Sequence, residues 1–466
     1  MSKYLYGASV QGIQEFIFKT NRLKEIVGAS EIVKNIKKLF EDNFQANEVL
    51  LNAAGNIKVI FESEEECKKA VLNFPKMVMQ KAYGITLSQA VIKLDANYTQ
   101  DDIDKLEANL KIQRNRPSIP LDSSINIMKL NPSTAKPLVN KDNDKSTQKK
   151  LNAYDKFLQE NSRNREFNNI SDFSNDKNKI AVIHIDGNGL GQIVPKLGNR
   201  LSSFSKKLNK ATEDAFAQTR DESMSIRDVV LGGDDVTVIC NANEALEFTR
   251  RFLQNFEDKT SKIKELKAIN IKKLTACAGI AYCNEKYPFH YAVDLAETLC
   301  GVTKKHAKAI DENLAPSSLM FHNIQSSNFQ SWKKFIEEEL TIKNDVQEIR
   351  CDFGPYYLFQ ENQPPMEKLQ ISVEAYRCDG SPISRLRNWM SELYKSDKNA
   401  ANLLTRINEV TEQSGKWRCD IMDKNLENLY EKLSNGDLII TKDGCEKTPI
   451  YDILQILSVT DSKGAN

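Results

Sequence analysis

Two adjacent carboxylates stand between two β-branched runs in Val229-Val230-Leu231-Gly232-Gly233-Asp234-Asp235-Val236-Thr237-Val238-Ile239-Cys240. Side by side at neutral pH they repel. A divalent cation offsets that repulsion, and Mg2+ or Mn2+ prefers carboxylate oxygens while leaving positions free for substrate phosphates. The alternative is an ordinary solvated turn, because Gly-Asp is common hairpin chemistry. A third carboxylate, Asp186, follows the strand-like run Ile180 to Ile185 and opens Asp186-Gly187-Asn188-Gly189-Leu190-Gly191. Phosphoryl transfer to a hydroxyl uses two metal ions roughly 3.5 to 4 Å apart, bridged by carboxylates from neighbouring strands. Asp186, Asp234 and Asp235 are therefore the candidate catalytic residues, and with the backbone at Gly187 they are the candidate ligands of two Mg2+ or Mn2+ ions.

Gly187, Asn188, Gly189, Leu190 and Gly191, just before a helix start, offer backbone N-H groups to a nucleotide phosphate, and Gly232 and Gly233 let a ligand approach the hairpin backbone. A plain turn explains the first glycine pattern about as well, because the distal acid of a dinucleotide fingerprint is missing. Lys304 and Lys308 fall one turn apart on one helical face. That face either neutralises a triphosphate or is a solvated basic face near a helix C-terminus.

These residues need a scaffold that brings Asp186 to the hairpin. The chain reads as strand (Tyr4 to Val10), helices, a hairpin (Val49 to Leu51, Ile57 to Phe61), a helix broken before Pro75, a strand (Ile85 to Leu94) and a helix capped by Thr99. That order, β-α-β-β-α-β, is ferredoxin-like. After a polar stretch with Pro117, Pro120, Pro132 and Pro137, the same order returns from Ile180. Setting Gln11 against Asp186, and Asn52-Ala53-Ala54-Gly55-Asn56-Ile57 against Leu231 to Val236, opposes every acid of the second copy with a neutral residue. One site is competent for metal and the other is retired. The fold class is thus α+β: a ferredoxin-like unit at 1–114, an inserted linker or small module at 115–178, a second unit at 179–325 that carries the acids, and a mostly helical domain at 326–466.

Composition removes other classes. Lys and Arg number 65 against 64 Asp and Glu, which argues against general coating of nucleic acid but leaves room for a local basic cleft. No leader-like segment and no run of about 18 apolar residues occurs, so a cytoplasmic protein without membrane spans is expected. Nine cysteines without a Cys-x-x-Cys pair argue against a disulfide framework. His184, His290, His306 and His322 form no ligand-spaced pair.

Ile183 to Gly191, Leu231 to Asp235, Thr275-Ala276-Cys277-Ala278-Gly279-Ile280-Ala281 and the Lys304 helix together resemble the cyclase palm of the large subunit of type III CRISPR effector complexes. More distantly they resemble GGDEF diguanylate cyclases. Gly12 to Phe18 and Leu23 to Ser30 resemble the first, degenerate palm of the same subunit. The resemblance covers roughly residues 1 to 325. It implies a nucleotidyltransferase that makes cyclic oligoadenylate from ATP in antiviral defence, with Asp186, Asp234 and Asp235 at the metals and Lys304 toward phosphate. A cyclic dinucleotide synthase using ATP or GTP, and a non-catalytic nucleotide- or RNA-binding subunit, are the other readings. Implied partners are ATP or another NTP, RNA or effector-complex subunits, and a downstream effector protein that binds the messenger. The histidine-aspartate nuclease domain that many such subunits carry in front is missing from the sequence, so a short stand-alone relative is expected. Asn131 to Pro137 resembles the zinc module between the palms, with Asn131 where a cysteine ligand would stand.

Overall fold

The computed structural model describes residues 3–53, 55–95, 97–116, 125, 127–160, 167–325, 331–343, 348–414, 419–434 and 436–461. Ala54, Pro117 and Pro120 lie outside the described residues.

The first unit comprises β1 (Lys3–Gln11), α1 (Ile13–Phe18), α2 (Leu23–Glu41), β2 (Glu48–Ala53), β3 (Asn56–Phe61), α3 (Glu64–Lys81), β4 (Thr86–Leu94) and α4 (Gln100–Arg114). Its sheet order is β2-β3-β1-β4, with β1 antiparallel to both neighbours. Alternation along β1 sends Tyr6, Ala8 and Val10 to the core under α2 and α3, while Leu5 packs with Leu106 and Leu110 of α4 on the other face. Thr99 caps α4 through a capping box with Asp102. The break expected before Pro75 is absent: α3 runs straight through it. Proline leaves the carbonyl four residues earlier without a donor, and the Gln89 side chain supplies one, Nε2 donating to the Val71 carbonyl at 2.9 Å.

After α5 (Lys145–Glu160) the second unit follows: β5 (Lys179–Gly187), α6 (Leu190–Leu197), α7 (Leu201–Thr219), β6 (Ile226–Gly232), β7 (Asp235–Asn241), α8 (Ala245–Thr260), the single turn α9 (Lys264–Lys267), β8 (Ala276–Asn284), α10 (Phe289–Ile310) and β9 (Ser318–Asn323). The sheet order β8-β5-β7-β6 repeats that of the first unit. β9 extends it in parallel with β8. The main core buries Ile183, Val238 and Ile280 of this sheet with Phe216, Phe248 and Phe252 of α7 and α8. On the opposite face α10 approaches β8 at Gly279, where a Cβ would collide with the Ala296 carbonyl.

The remaining elements are α11 (Trp332–Glu339), β10 (Thr341–Lys343), β11 (Glu348–Arg350), β12 (Tyr356–Tyr357), α12 (Met366–Arg377), α13 (Ile383–Leu393), α14 (Asp397–Ser414), α15 (Cys419–Leu429), β13 (Ile440–Lys442), β14 (Cys445–Lys447) and α16 (Ile450–Val459). Helices dominate this part, yet it also holds a four-stranded sheet, β10-β11-β14-β13, and β12 joins the second-unit sheet beside β9. Strands of two or three residues carry no readable period-2 signal, which is why the sequence pattern showed only helices. No helix among the described residues is long and apolar enough to cross a membrane.

Candidate active site

The acidic hairpin is built by β6 and β7, whose register ends at Gly232 opposite Asp235 with Gly233 and Asp234 at the turn. Gly233 takes a φ of 63°, a left-handed conformation that a side chain resists. α7 holds this turn from behind: Asn209 Oδ1 accepts the Gly233 N-H at 3.0 Å, and the Thr212 hydroxyl donates to the Gly233 carbonyl. The hairpin glycines therefore shape the turn, and the Gly233 N-H is already used within the protein.

Strand pairing brings the third acid. β5 runs antiparallel to β7 with Asp186 directly opposite Asp235, so the pleat puts both on one face, together with His184 opposite Thr237. Gly187 N-H donates to the Asp234 carbonyl at 3.2 Å. A Cβ at Gly187 would sit 2.7 Å from the Asp234 Cβ, so this close approach needs glycine.

The acids share an unbalanced field. Lys304 Nζ reaches from α10 to Asp186 Oδ2 at 2.5 Å. Burial, with Asp186 alongside, pushes the Asp234 carboxyl up to about 6. Burial, with Asp186, Asp234 and Glu297 nearby, pushes Asp235 up to about 7. The Asp235 side chain keeps 45 % exposure at its outer edge, so solvent tempers that rise, while its enclosed Oδ1 has no hydrogen-bond partner. His184 Nδ1 stands 3.7 Å from that oxygen. It brings no charge at neutral pH, because burial drives the imidazole down to about 4.

A divalent cation fits this donor chemistry: repelling carboxylates, one with an orphaned buried oxygen, at the end of one sheet. The side chains have not closed on a common point, however. Among the described residues no three His, Cys, Asp or Glu side chains form a metal-ligand cluster, and Asp186 is paired with Lys304 instead.

Beside the acids, residues 187–193, Asp234, Thr275, Lys304, Lys308 and the 312–315 segment line a cavity of about 240 Å³. That is below the ~300–1,000 Å³ of sites enclosing a whole drug-sized ligand, so it matches phosphates better than a complete nucleotide. A larger cavity, about 540 Å³, lies elsewhere, between Asn21 to Lys24, Asn168 to Ser171 and Glu285-Lys286, and contains none of the predicted residues. The phosphate-loop expectation needs correction at two amides. Gly187 N-H is taken by Asp234, and Asn188 N-H donates to the Thr275 carbonyl at 2.8 Å. Asn188 Nδ2 also donates to Thr275 Oγ1 and the Ala315 carbonyl, both at 3.1 Å, so Asn188 ties the loop to the segments that lead into β8 and β9. The N-H groups of Gly189, Leu190 and Gly191 remain, at a helix start with a left-handed glycine and no side-chain cap.

In the first unit, Asn56 pairs with Ser9, as Asp235 pairs with Asp186. The counterpart of Asp186 is thus Ser9, two residues before the Gln11 expected from the sequence. Ser9 Oγ and Asn56 Oδ1 are hydrogen-bonded at 2.8 Å, a neutral pair where the second unit sets two carboxylates. Among its described residues the inserted segment has no zinc-like cluster either. Asp144, 1 % exposed, accepts hydrogen bonds from Asn131 Nδ2, Thr134 Oγ1 and Thr147 Oγ1 at 2.8 to 2.9 Å, so an anionic hydrogen-bond hub organises it.

Residues 179–312 match the family described as Cas10/Cmr2, second palm domain. The whole chain also superposes on crystal structures of Csm1. For Csm1 in T. onnurineus the TM-score is 0.57 at 13% identity, covering 98% of this chain and 70% of that one. For a Csm1-Csm4 cassette in complex with cA4 the values are 0.53 and 12%, with the same coverage. This chain is similar to Cas10 palm proteins, in sequence over residues 179–312. No curated protein matches it in sequence. Identities this low carry the fold alone.

Sequence reasoning on this Cas10-like palm missed Asn209 and Thr212, which fix the hairpin turn, and Glu297, which adds negative charge near Asp235. It also missed the first unit's hold on β6. The Ser30 hydroxyl donates to the Val229 carbonyl at a bulge, and Lys34 reaches Asp228 at 3.3 Å. Asn209 and Thr212 lie on one face of α7, but only the docking of that helix under the hairpin gives them a role.

Proposed function

We propose that this chain is a nucleotidyltransferase that joins NTPs into a cyclic oligonucleotide messenger, with ATP as substrate and cyclic oligoadenylate as product. The observation that carries it is the register pairing of Asp186 with Asp235 beside a lysine-lined, phosphate-sized cavity. Similar Csm1-Csm4 cassettes were solved in complex with one ATP, with pppApA and with cA4, which supports adenine nucleotides as the ligand class.

In this reading Lys304 and Lys308 draw the triphosphate into the cavity, and the amides at the start of α6 cradle a phosphate. Asp186, Asp234, Asp235 and the Gly187 carbonyl would hold two Mg2+ or Mn2+ ions, which when bound supply charge neutralisation for phosphate and acidify the attacking 3′ hydroxyl. Lys304 leaves Asp186 for the triphosphate when nucleotide arrives. The first palm closes the cleft without metal, its Ser9-Asn56 pair being neutral. The same Lys304-Asp186 pair favours a second reading, a palm that binds nucleotide without chemistry, because an ammonium already satisfies one candidate ligand.

The test is incubation of the purified protein with each labelled NTP and Mg2+ or Mn2+, with products identified by mass spectrometry. Cyclic oligoadenylate from wild type and none from a folded Asp234→Ala, Asp235→Ala double variant is the expected result. Nucleotide binding without product in wild type would favour the second reading.

A further inference from the structure

The C-terminal third of α10, which carries Lys304, has little apolar support. Its buried contact Ala307 belongs to a small satellite cluster with Cys277, Cys300, Ala315 and Tyr357, separate from the main core. Gly301 lies inside the helix three residues before Lys304, where a Cβ would meet nothing within 4 Å. Packing therefore does not demand glycine there, and a helix-interior glycine leaves the following turns easier to open.

Opposite Lys304 on this helix, the C-terminal domain supplies a polar anchor. His306 lies two residues on, about 200° around the axis. Its Nδ1 is 2.6 Å from the Tyr357 hydroxyl, and its Nε2 is 3.3 Å from Asp443 Oδ2. Tyr357 is fully buried in β12, and Asp443 sits at the left-handed turn of the β13–β14 hairpin with a φ of 54°. Lys442 Nζ, on a fully buried side chain, lies 2.7 Å from the same carboxylate, and Lys447 Nζ lies 3.4 Å from it. With the Tyr357 hydroxyl donating to Nδ1 and Nε2-H donating to Asp443, a neutral imidazole satisfies both contacts at once. Asp443 is held well below the usual carboxylate range by the His306 hydrogen bond and Lys442.

We infer that His306 is a positioning residue: gripped by Tyr357 and the Asp443 hairpin, it holds the end of α10 so that Lys304 points at the phosphate cavity. The role assigned to Lys304 rests on the proposed function, whereas the anchoring of the helix does not. This gives the C-terminal domain a direct mechanical link to the nucleotide site.

The experiment uses the full chain with His306→Ala and, as the gentler change, Tyr357→Phe. Hydrogen exchange of amides 302–310 and equilibrium binding of AMPPNP are both measured. Exchange in 302–310 should accelerate without change in β5 or β7. The Kd for AMPPNP should rise about three- to tenfold, and that rise should disappear in a Lys304→Ala background. Gly301→Ala, which stiffens the helix, should restore both readouts. Unchanged exchange at 302–310, an equal rise in Kd with and without Lys304, or no rescue by Gly301→Ala would each overturn the inference. Failure of wild type to bind AMPPNP would instead count against the proposed function, and the exchange measurement would still decide whether the anchor exists.

Discussion

Asp235 gives the sharpest test of the site's electrostatics, because in the metal-free protein its charge works against the fold. A rise from 3.8 to about 7 would be about 4 kcal/mol at 1.36 kcal/mol per unit if unscreened. With 45 % of the side chain exposed, solvent screens most of this, and about 1–2 kcal/mol remains. A carboxyl whose folded value is raised contributes stability that is fully present below its unfolded value, near 3.9, and is lost as pH rises through its folded value. Asp235→Asn keeps the shape and removes the ionisation. In EDTA at about pH 8 the variant should melt above wild type by roughly 2–8 °C, taking about 2–4 °C per kcal/mol for a unit of this size. At about pH 4 the gap should shrink by more than half, because a carboxyl raised by only this screened amount is mostly protonated in the fold there. Adding Mg2+ or Mn2+ at about pH 8 should raise the wild-type melting temperature more than that of the variant. A gap of equal size at both pH values, or a wild type more stable than the variant at about pH 8 in EDTA, would refute the claim that an uncompensated carboxylate is built into this hairpin.

Asp186→Asn should lower product formation from labelled ATP by about 10²–10³-fold, whereas Ser9→Ala at the matching position of the first palm should leave it within about twofold. Comparable losses from the two, both folded, would contradict the retired-site reading. Lys304→Ala should raise the KM for ATP by about tenfold with little change in melting temperature, and Lys308→Ala should have a smaller effect; superimposable wild-type and Lys304→Ala kinetics would return that face to a solvated role. Asn209→Ala leaves the Gly233 N-H without its acceptor and should cost about 1 kcal/mol of stability while lowering kcat, seen as reduced turnover at saturating ATP in the folded fraction. Specific activity per chain should stay constant on dilution, and a fall that tracks dissociation of a dimer would show the cleft being completed between chains.

The acids, the hairpin between β-branched runs and the doubled β-α-β-β-α-β order were all legible in the sequence. Each is a local pattern: period-2 burial, a glycine turn, a helix cap such as Thr99. Hairpin correspondence was legible for the same reason, since Asn52 to Ile57 and Leu231 to Val236 each lie within one supersecondary unit. What crosses between distant segments was not. Ser9 rather than Gln11 matches Asp186 because sheet register, fixed by β1 against β3 and β5 against β7, counts residues from the hairpin and not from the glycine that follows the strand. The amides of Gly187 and Asn188 are consumed by Asp234 and Thr275, partners that only strand pairing brings near. α3 survives Pro75 because Gln89, on the next strand, fills the vacated acceptor. Asp144 stood unnoticed in a polar run until folding gathered Asn131, Thr134 and Thr147 around it. His306 likewise had no sequence signature, since Tyr357 and Asp443 reach it from separate later segments. A residue's type and its neighbours set what chemistry it can do and which face of its own element it occupies. Which groups satisfy its hydrogen bonds and charge is decided across long loops, where register and helix docking bring together residues that no local spacing relates.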